Sequence, residues 1–263
     1  MRKLFASLVA LTTATFAAVD GSADSKTSQP APPAPALSGD AQRSLELNEQ
    51  GVLALKTRNF VQAQTLFRQA LDTDRHNATA AFNLAGMLIT NKKEKEALPL
   101  LQEYASQFPG DASFQARLGD AYFGTQDTSD ALKHYQNAFA IDPNYPNLAA
   151  KLGTIYSLQN DIPRATRMFE AATRLNPKDS QSLSNLSSLY LAQGKPTLAI
   201  ASAKRAIQLQ AKPETYVTLG SAYQDSKDPT NALLAFRRAQ ELGSKDPKLA
   251  EVISSLEKAA GGA

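Results

Sequence analysis

The chain has 263 residues, of which 43% are apolar and 20% charged, a composition typical of globular proteins. Its 28 Lys and Arg against 25 Asp and Glu leave too small a positive excess to predict a nucleic-acid partner. Because the sequence has no Cys, it excludes disulfides, Cys-ligated zinc, thiol catalysis and lipid attachment to an N-terminal Cys.

Residues 1–23 predict a cleaved signal peptide. Arg2 and Lys3 form a basic start, an apolar stretch runs from Leu4 to Ala18, and small residues follow as far as Ala23. This order is typical of an export signal, and the apolar stretch is shorter than the ~20 residues that a membrane span needs. We therefore expect export, with the periplasm as the expected compartment and no stable membrane span after cleavage. Secretion and an uncleaved membrane anchor are the alternatives.

Residues 24–43 predict a flexible linker. Pro30, Pro32, Pro33 and Pro35 lie here among Ala and Ser, and Leu37 is the only large apolar residue, so the stretch cannot bury a core. Such a composition is typical of a semi-rigid polyproline spacer.

Residues 44–246 contain one pattern six times. Equivalent alanines recur every 34 residues, with one interval of 33, at Ala63, Ala97, Ala131, Ala165, Ala199 and Ala232. A small residue lies twelve positions before each of them: Gly51, Ala85, Gly119, Gly153, Ser187 and Gly220. Six copies in phase indicate a repeat protein.

Each copy predicts a hairpin of two helices. Apolar residues at helical spacing, such as Leu152 and Tyr156, place one stripe on a first helix. The small residues let the second helix cross closely, and turn signals such as Asn160-Asp161 followed by Pro163 separate the two. One hairpin cannot bury its stripe alone, whereas stacked hairpins can.

This pattern of period, small residues and turn residues resembles that of the tetratricopeptide repeat (TPR) family. The resemblance covers six repeats, at 44–77, 78–111, 112–145, 146–179, 180–212 and 213–246. The resemblance implies an all-α, right-handed solenoid. Asp246-Pro247 and the apolar stripe after it predict a capping helix and a loose tail over 247–263. Repeat two departs from the family pattern at Pro99 and Tyr104, which predicts a local distortion or looser packing. In repeat one, Gln50 replaces the Leu that is usual at its position.

The resemblance also implies a concave groove, lined by the first helices, that receives a peptide or helix of a protein partner. Carried onto this chain, the family's groove positions predict a mixed surface. It combines apolar anchors, polar residues and a cationic pair, Arg117 and Lys151, suited to a carboxylate. The candidate residues are Phe82, Asn83, Ile89, Arg117, Asp120, Phe123, Asn147, Lys151 and Leu191.

No catalytic constellation is found, so we expect a protein that is not an enzyme and has no cofactor or metal. The only histidines are His76 and His134, far apart in the sequence. The function predicted is an exported scaffold that assembles envelope, secretion or pilus machinery. The alternative is an accessory or regulatory subunit of an envelope enzyme complex. Some pilotins of pilus assembly also resemble six such repeats, but they carry lipid on a Cys that this chain lacks.

Overall fold

The structure is a computed structural model that describes residues 37–261. The predicted signal peptide and residues 24–36 of the predicted linker lie outside the described residues. Residues 37–261 form α-helices and no strand. The helices are α1 Gly39–Lys56, α2 Phe60–Thr73, α3 Ala78–Thr90, α4 Glu94–Gln107, α5 Ala112–Gly124, α6 Thr128–Ile141, α7 Leu148–Leu158, α8 Ile162–Leu175, α9 Ser180–Ala192, α10 Pro196–Leu209, α11 Pro213–Asp225, α12 Pro229–Glu241 and α13 Leu249–Gly261.

The helices form six successive hairpins. Each odd-numbered helix from α1 to α11 packs against the helix that follows it, and each hairpin packs against the next. We call the odd-numbered members first helices and α2 to α12 second helices. The arrangement confirms the predicted all-α solenoid, in which stripes that one hairpin leaves uncovered are buried by its neighbours.

Polar caps set where four of the six second helices begin, α2, α6, α8 and α12. The side chains of Asn59, Asp127, Asp161 and Asp228 each accept a hydrogen bond from the backbone N–H three residues later. Such a bond satisfies one of the free N–H groups at a helix start. Only three residues separate the two helices of each of these hairpins. In this tight turn the residue before each cap has a positive φ, for example 58° at Asn160.

The close helix crossing inside a hairpin depends on an aromatic ring that lies against a glycine. A Cβ added to Gly51 would lie 2.5 Å from Phe67 Cε1, and one added to Gly119 would lie 2.4 Å from Tyr135 Cδ1. The same contact joins glycine and phenylalanine in repeats four and six, as Gly153–Phe169 and Gly220–Phe236. Repeats two and five have Ala85 with Leu101 and Ser187 with Ala203 at these two positions. The larger first-helix residue thus goes with a smaller second-helix residue.

The N-terminal face of the array is largely polar. In repeats two to six the position of Gln50 is occupied by a buried leucine, against which the preceding repeat packs: Leu84, Leu118, Leu152, Leu186 and Leu219. Gln50 and Glu46 are instead exposed on α1. The departure from the family pattern at Gln50 therefore suits a terminal repeat, whose outer face meets water. Repeat one forms a complete hairpin of α1 and α2.

Two helix starts differ from the prediction. The first helix begins at Gly39 rather than at residue 44, because the Ser38 hydroxyl caps it by accepting a hydrogen bond from Ala41 N at 3.1 Å. The last helix begins at Leu249, after a turn in which Asp246 Oδ1 accepts from Lys248 N at 2.9 Å. Asp246-Pro247 therefore forms the turn before α13 rather than its first residues. The side chains of Leu249 and Ile253 then pack on α12.

Pro99 does not interrupt the second helix of repeat two. Helix α4 runs unbroken from Glu94 to Gln107 with the proline inside it and exposed. Proline lacks the N–H that an interior helix residue donates, and its ring crowds the carbonyl of the preceding turn. The proline therefore does not break α4, but the helix lacks one hydrogen bond, and α3 and α4 pack against each other less extensively than the two helices of any other hairpin.

Replacing Pro99 by alanine is expected to raise the free energy of unfolding by about 1–2 kcal/mol. The gain is the restored helix hydrogen bond, less the entropy that proline removes from the unfolded chain. Urea unfolding followed by circular dichroism measures it. Pro196→Ala is the matched control, because Pro196 occupies the first turn of α10, where no N–H is needed, and we expect no gain there. A loss of stability in Pro99→Ala would contradict this account.

Candidate partner-binding groove

Polar side chains of the first helices, several of the candidate residues among them, contact one another from one first helix to the next. Asn83 Nδ2 on α3 donates to Asn48 Oδ1 on α1 at 2.9 Å, and Lys151 Nζ on α7 donates to Asp120 Oδ1 on α5 at 2.5 Å. Further along, the hydroxyl groups of Ser184 on α9 and Thr215 on α11 lie 2.8 Å apart. These bonds join α1 with α3, α5 with α7, and α9 with α11. We call the surface that the first helices present the first-helix face.

Arg117 is the most unusual side chain of this face. Its Cζ lies 4.0 Å from the ring centroid of Phe82, one repeat earlier, in a cation–π contact. It is half-buried, and burial lowers the pKa of its guanidinium, while the nearby Asp120 carboxylate opposes that shift. Within residues 37–261 it forms no ion pair. A partly desolvated cation without a counter-ion is suited to bind an anionic group.

Gly86 provides the space for Arg117. A Cβ at Gly86 would lie 2.8 Å from Arg117 Nη1 and 3.1 Å from its Cζ. Gly86 lies 31 residues before Arg117, the same separation as that between Asp120 and Lys151. Side chains of adjacent first helices thus meet at a separation of 31 residues, as in Asp120–Lys151, and at one of 35 residues, as in Phe82–Arg117.

Lys151 is not a second available cation. Asp120 accepts hydrogen bonds from both Lys151 Nζ and the Tyr135 hydroxyl, the latter at 2.7 Å. Burial raises the pKa of the Tyr135 hydroxyl, and the Asp120 charge raises it further. Because Asp120 neutralises Lys151, the predicted cationic pair of Arg117 and Lys151 reduces to Arg117 alone.

The other candidate residues differ in exposure. Phe123 is exposed, whereas Phe82, Ile89 and Leu191 are half-buried. Phe82 also meets Phe114 edge to face at 5.8 Å.

The two candidate asparagines have different surroundings. Asn83 is buried, and its Oδ1 has no hydrogen-bond partner within the part of the chain that the structure describes. Asn147 is exposed at the start of α7, with φ of 62°, beside Ala150 and Leu175. Of the nine candidates, direct contacts therefore join Phe82 with Arg117 and Asp120 with Lys151.

Neither histidine belongs to a group of catalytic or metal-binding side chains. His134 stacks on Tyr122 at 5.2 Å, its Nδ1 lies 2.8 Å from Gln115 Oε1, and burial lowers the pKa of its imidazole. His76 is exposed and lies beside Asp74. Over residues 37–261 no three or more His, Asp or Glu side chains lie close enough to hold a metal ion. No helix in that range is long and apolar enough to span a membrane.

Fold and surface together define a helical-repeat protein whose first helices present a partly polar face. Sequence profiles described as "Tetratricopeptide repeat" match residues 48–112, 95–146, 122–188, 180–213 and 213–245. The chain therefore belongs to the tetratricopeptide repeat family, as its period and small residues predict.

Several solved structures have the same fold. PilF of Pseudomonas aeruginosa is 18% identical with a TM-score of 0.71, and the match covers 83% of this chain and all of that one (100%). YrrB, described as a TPR protein with an unusual peptide-binding site, is 17% identical with a TM-score of 0.64, over 72% of this chain and 97% of its own. At these identities the likeness shows the fold alone.

Two further matches cover only part of the other protein. The Cut9–Hcn1 structure is 16% identical with a TM-score of 0.64, over 82% of this chain and 43% of that one. Among curated proteins, the O-mannosyl-transferase Tmtc3 of Drosophila melanogaster is 28% identical over 109 residues. Those residues are 41% of this chain and 12% of the transferase.

Proposed function

We propose that this protein is an exported, noncatalytic scaffold whose first-helix face binds a peptide or helix of a partner protein. Its place would be the assembly of envelope, secretion or pilus machinery. The TPR fold supports a protein partner, and the peptide-binding site named for YrrB is consistent with it. Export and the periplasmic compartment are supported by the character of residues 1–23 in the sequence.

Arg117 is the single observation that carries this proposal. A guanidinium held over Phe82, half-buried and without a counter-ion in the described chain, has N–H donors free for a carboxylate. Charge-assisted hydrogen bonds contribute about 1.5–3 kcal/mol each. The partner segment therefore carries an acidic side chain or a C-terminal carboxylate next to an apolar residue that contacts Phe123.

A photo-reactive residue at position 123 is expected to capture the partner in cells, and Arg117→Glu is expected to lower that capture at least tenfold. Mass spectrometry identifies and quantifies the captured protein. The control for the probe is position 234, because Leu234 is exposed on a second helix. The control for the charge is Arg164→Glu, since Arg164 also lies over an aromatic ring, Tyr156 at 4.8 Å, but on a second helix. Equal capture from both positions, or capture insensitive to Arg117→Glu, would overturn the proposal.

The partial similarity to a transferase favours a second candidate, an accessory or regulatory subunit of an envelope enzyme complex. The same capture experiment separates the two. An envelope, secretion or pilus assembly protein supports the first candidate, and an enzyme whose rate changes when this chain is added supports the second.

A further inference from the structure

One kind of contact recurs where the first helices of neighbouring repeats meet. At four of these five seams, the side chain of the sixth residue of a repeat lies against the fifth or the ninth residue of the repeat before it. Three of the contacts are hydrogen bonds: Asn83 Nδ2 to Asn48 Oδ1 at 2.9 Å, Lys151 Nζ to Asp120 Oδ1 at 2.5 Å, and Thr218 Oγ1 with Ser188 Oγ at 3.3 Å.

Arg117 is the sixth residue of repeat three, and its contact is of a different kind. It lies over Phe82 and beside Gly86, the fifth and ninth residues of repeat two, whose side chains offer no hydrogen-bond acceptor. At the remaining seam Asn185 accepts a hydrogen bond from Gln181 of its own helix at 3.1 Å. Among the sixth residues of repeats two to six, Arg117 alone therefore has a side chain without a hydrogen-bond partner in residues 37–261.

Gly86 differs from the glycines that allow close helix crossing. A Cβ at Gly51 or Gly119 would meet an aromatic ring of the same hairpin, whereas the three atoms nearest to a Cβ at Gly86 all belong to the guanidinium of Arg117. Glycine is unfavourable in the interior of a helix, and Gly86 lies well inside α3. The space that it leaves is occupied by Arg117 alone, so its role concerns that side chain.

The next seam shows the effect of an acidic residue at the ninth position. Asp120 occupies in repeat three the position that Gly86 occupies in repeat two, and its carboxylate neutralises Lys151. Asp120 also acts on Arg117, but burial outweighs its effect and lowers the pKa of the Arg117 guanidinium. Together the side chains of Arg117, Asp120 and Lys151 carry one net positive charge, which one carboxylate of a partner would balance.

We propose that Gly86 determines the specificity of the first-helix face, because it leaves Arg117 unpaired and available to a carboxylate of the partner. An acidic residue at position 86 would pair with Arg117 inside the protein, as Asp120 pairs with Lys151. Gly86 is thus a positioning residue that acts through Arg117. This role rests on the proposed function and deepens it, since the residue at the ninth position decides which cation of the face a partner can reach.

Two substitutions at position 86 separate charge from size. Gly86→Asp and Gly86→Asn both place a Cβ 2.8 Å from Arg117 Nη1, which is the end of a flexible side chain and can move. The two new side chains have nearly the same shape, but only that of aspartate is charged. Circular dichroism checks that both variants keep the same helix content, so that a difference between them reports the charge.

The first measurement needs no partner. Urea unfolding of each variant, with and without Arg117→Gln, gives the coupling between positions 86 and 117. We expect Arg117 to raise the folding equilibrium constant roughly fivefold more in Gly86→Asp than in Gly86→Asn, the upper range for a partly exposed ion pair. The same cycle with Asp120→Asn and Lys151→Gln measures the existing ion pair for comparison. Equal coupling in the two position-86 variants would overturn the role of Gly86 and leave the proposed function standing.

The second measurement is the capture of the partner by the photo-reactive residue at position 123. Because the partner carboxylate must compete with the internal ion pair, Gly86→Asp is expected to capture roughly fivefold less than Gly86→Asn. Equal capture by these two variants, while Arg117→Glu still lowers capture, would overturn the role of Gly86 alone. Capture that is insensitive to Arg117→Glu would overturn the proposed function and, with it, the role of Gly86.

Discussion

Replacing Tyr104 by alanine is expected to lower the free energy of unfolding by about 3–5 kcal/mol, although it restores the residue typical of the repeat. The other five repeats have a buried alanine at this position: Ala70, Ala138, Ala172, Ala206 and Ala239. In repeat two the Tyr104 ring is buried and stacks on Phe114 of the next repeat at 5.9 Å. Because the surrounding core contains a ring here, alanine would leave a cavity.

The hydroxyl group of Tyr104 adds a smaller contribution. It donates a hydrogen bond to the carbonyl oxygen of Arg75, in the loop between repeats one and two, and burial raises its pKa. Tyr104→Phe keeps the ring and removes this bond, so we expect a loss of only about 0.5–1.5 kcal/mol. Urea unfolding of both variants distinguishes the contribution of the ring to the free energy of unfolding from that of the hydroxyl group. A Tyr104→Ala protein as stable as Tyr104→Phe would show that the ring fills no essential space.

The hairpin architecture is predictable from the sequence because it rests on periodicity. Small residues such as Gly153 recur at near-constant separation, and polar residues such as Asp161 mark each turn. These signals act locally, or between neighbours of fixed spacing, so they do not depend on details of packing. The departure of Gln50 from the pattern is also visible in the sequence, whereas its exposure on the outer face of repeat one is shown by the structure.

The pairing of side chains on the first-helix face is less predictable. Arg117 and Lys151 carry the same charge and occupy equivalent positions in repeats three and four. Yet Arg117 lies over Phe82, whereas Lys151 pairs with Asp120. Which pairing forms depends on rotamers and on space provided by other residues, such as the missing side chain at Gly86. Such pairings depend on contacts between different helices, whereas a repeat pattern describes only one helix at a time.

The contact between ring and glycine leads to the second large effect, a coupling between positions 220 and 236. Gly220→Ala would place a Cβ 2.6 Å from Phe236 Cε1, and overpacking of this kind costs about 1–3 kcal/mol. Phe236→Leu alone leaves part of a buried site empty. The double variant reproduces the pair Ala85 and Leu101 of repeat two, where both residues are buried. The loss of unfolding free energy in the double variant is therefore expected to be smaller than the sum of the losses in the two single variants, by about 1–3 kcal/mol.

A double-mutant cycle measured by urea unfolding isolates this coupling. Alanine has a higher helix propensity than glycine by about 1 kcal/mol, but this gain occurs with either residue at position 236 and cancels in the cycle. Gly110→Ala is the control, because a Cβ there would meet nothing within 4 Å, and it is expected to change stability by less than about 0.5 kcal/mol. Additive single changes would mean that the helices can shift apart freely. Coupling of the expected size would mean instead that residue volume at these two positions sets how closely the two helices of a hairpin cross, and hence how the first helices line up to form the face that carries Arg117.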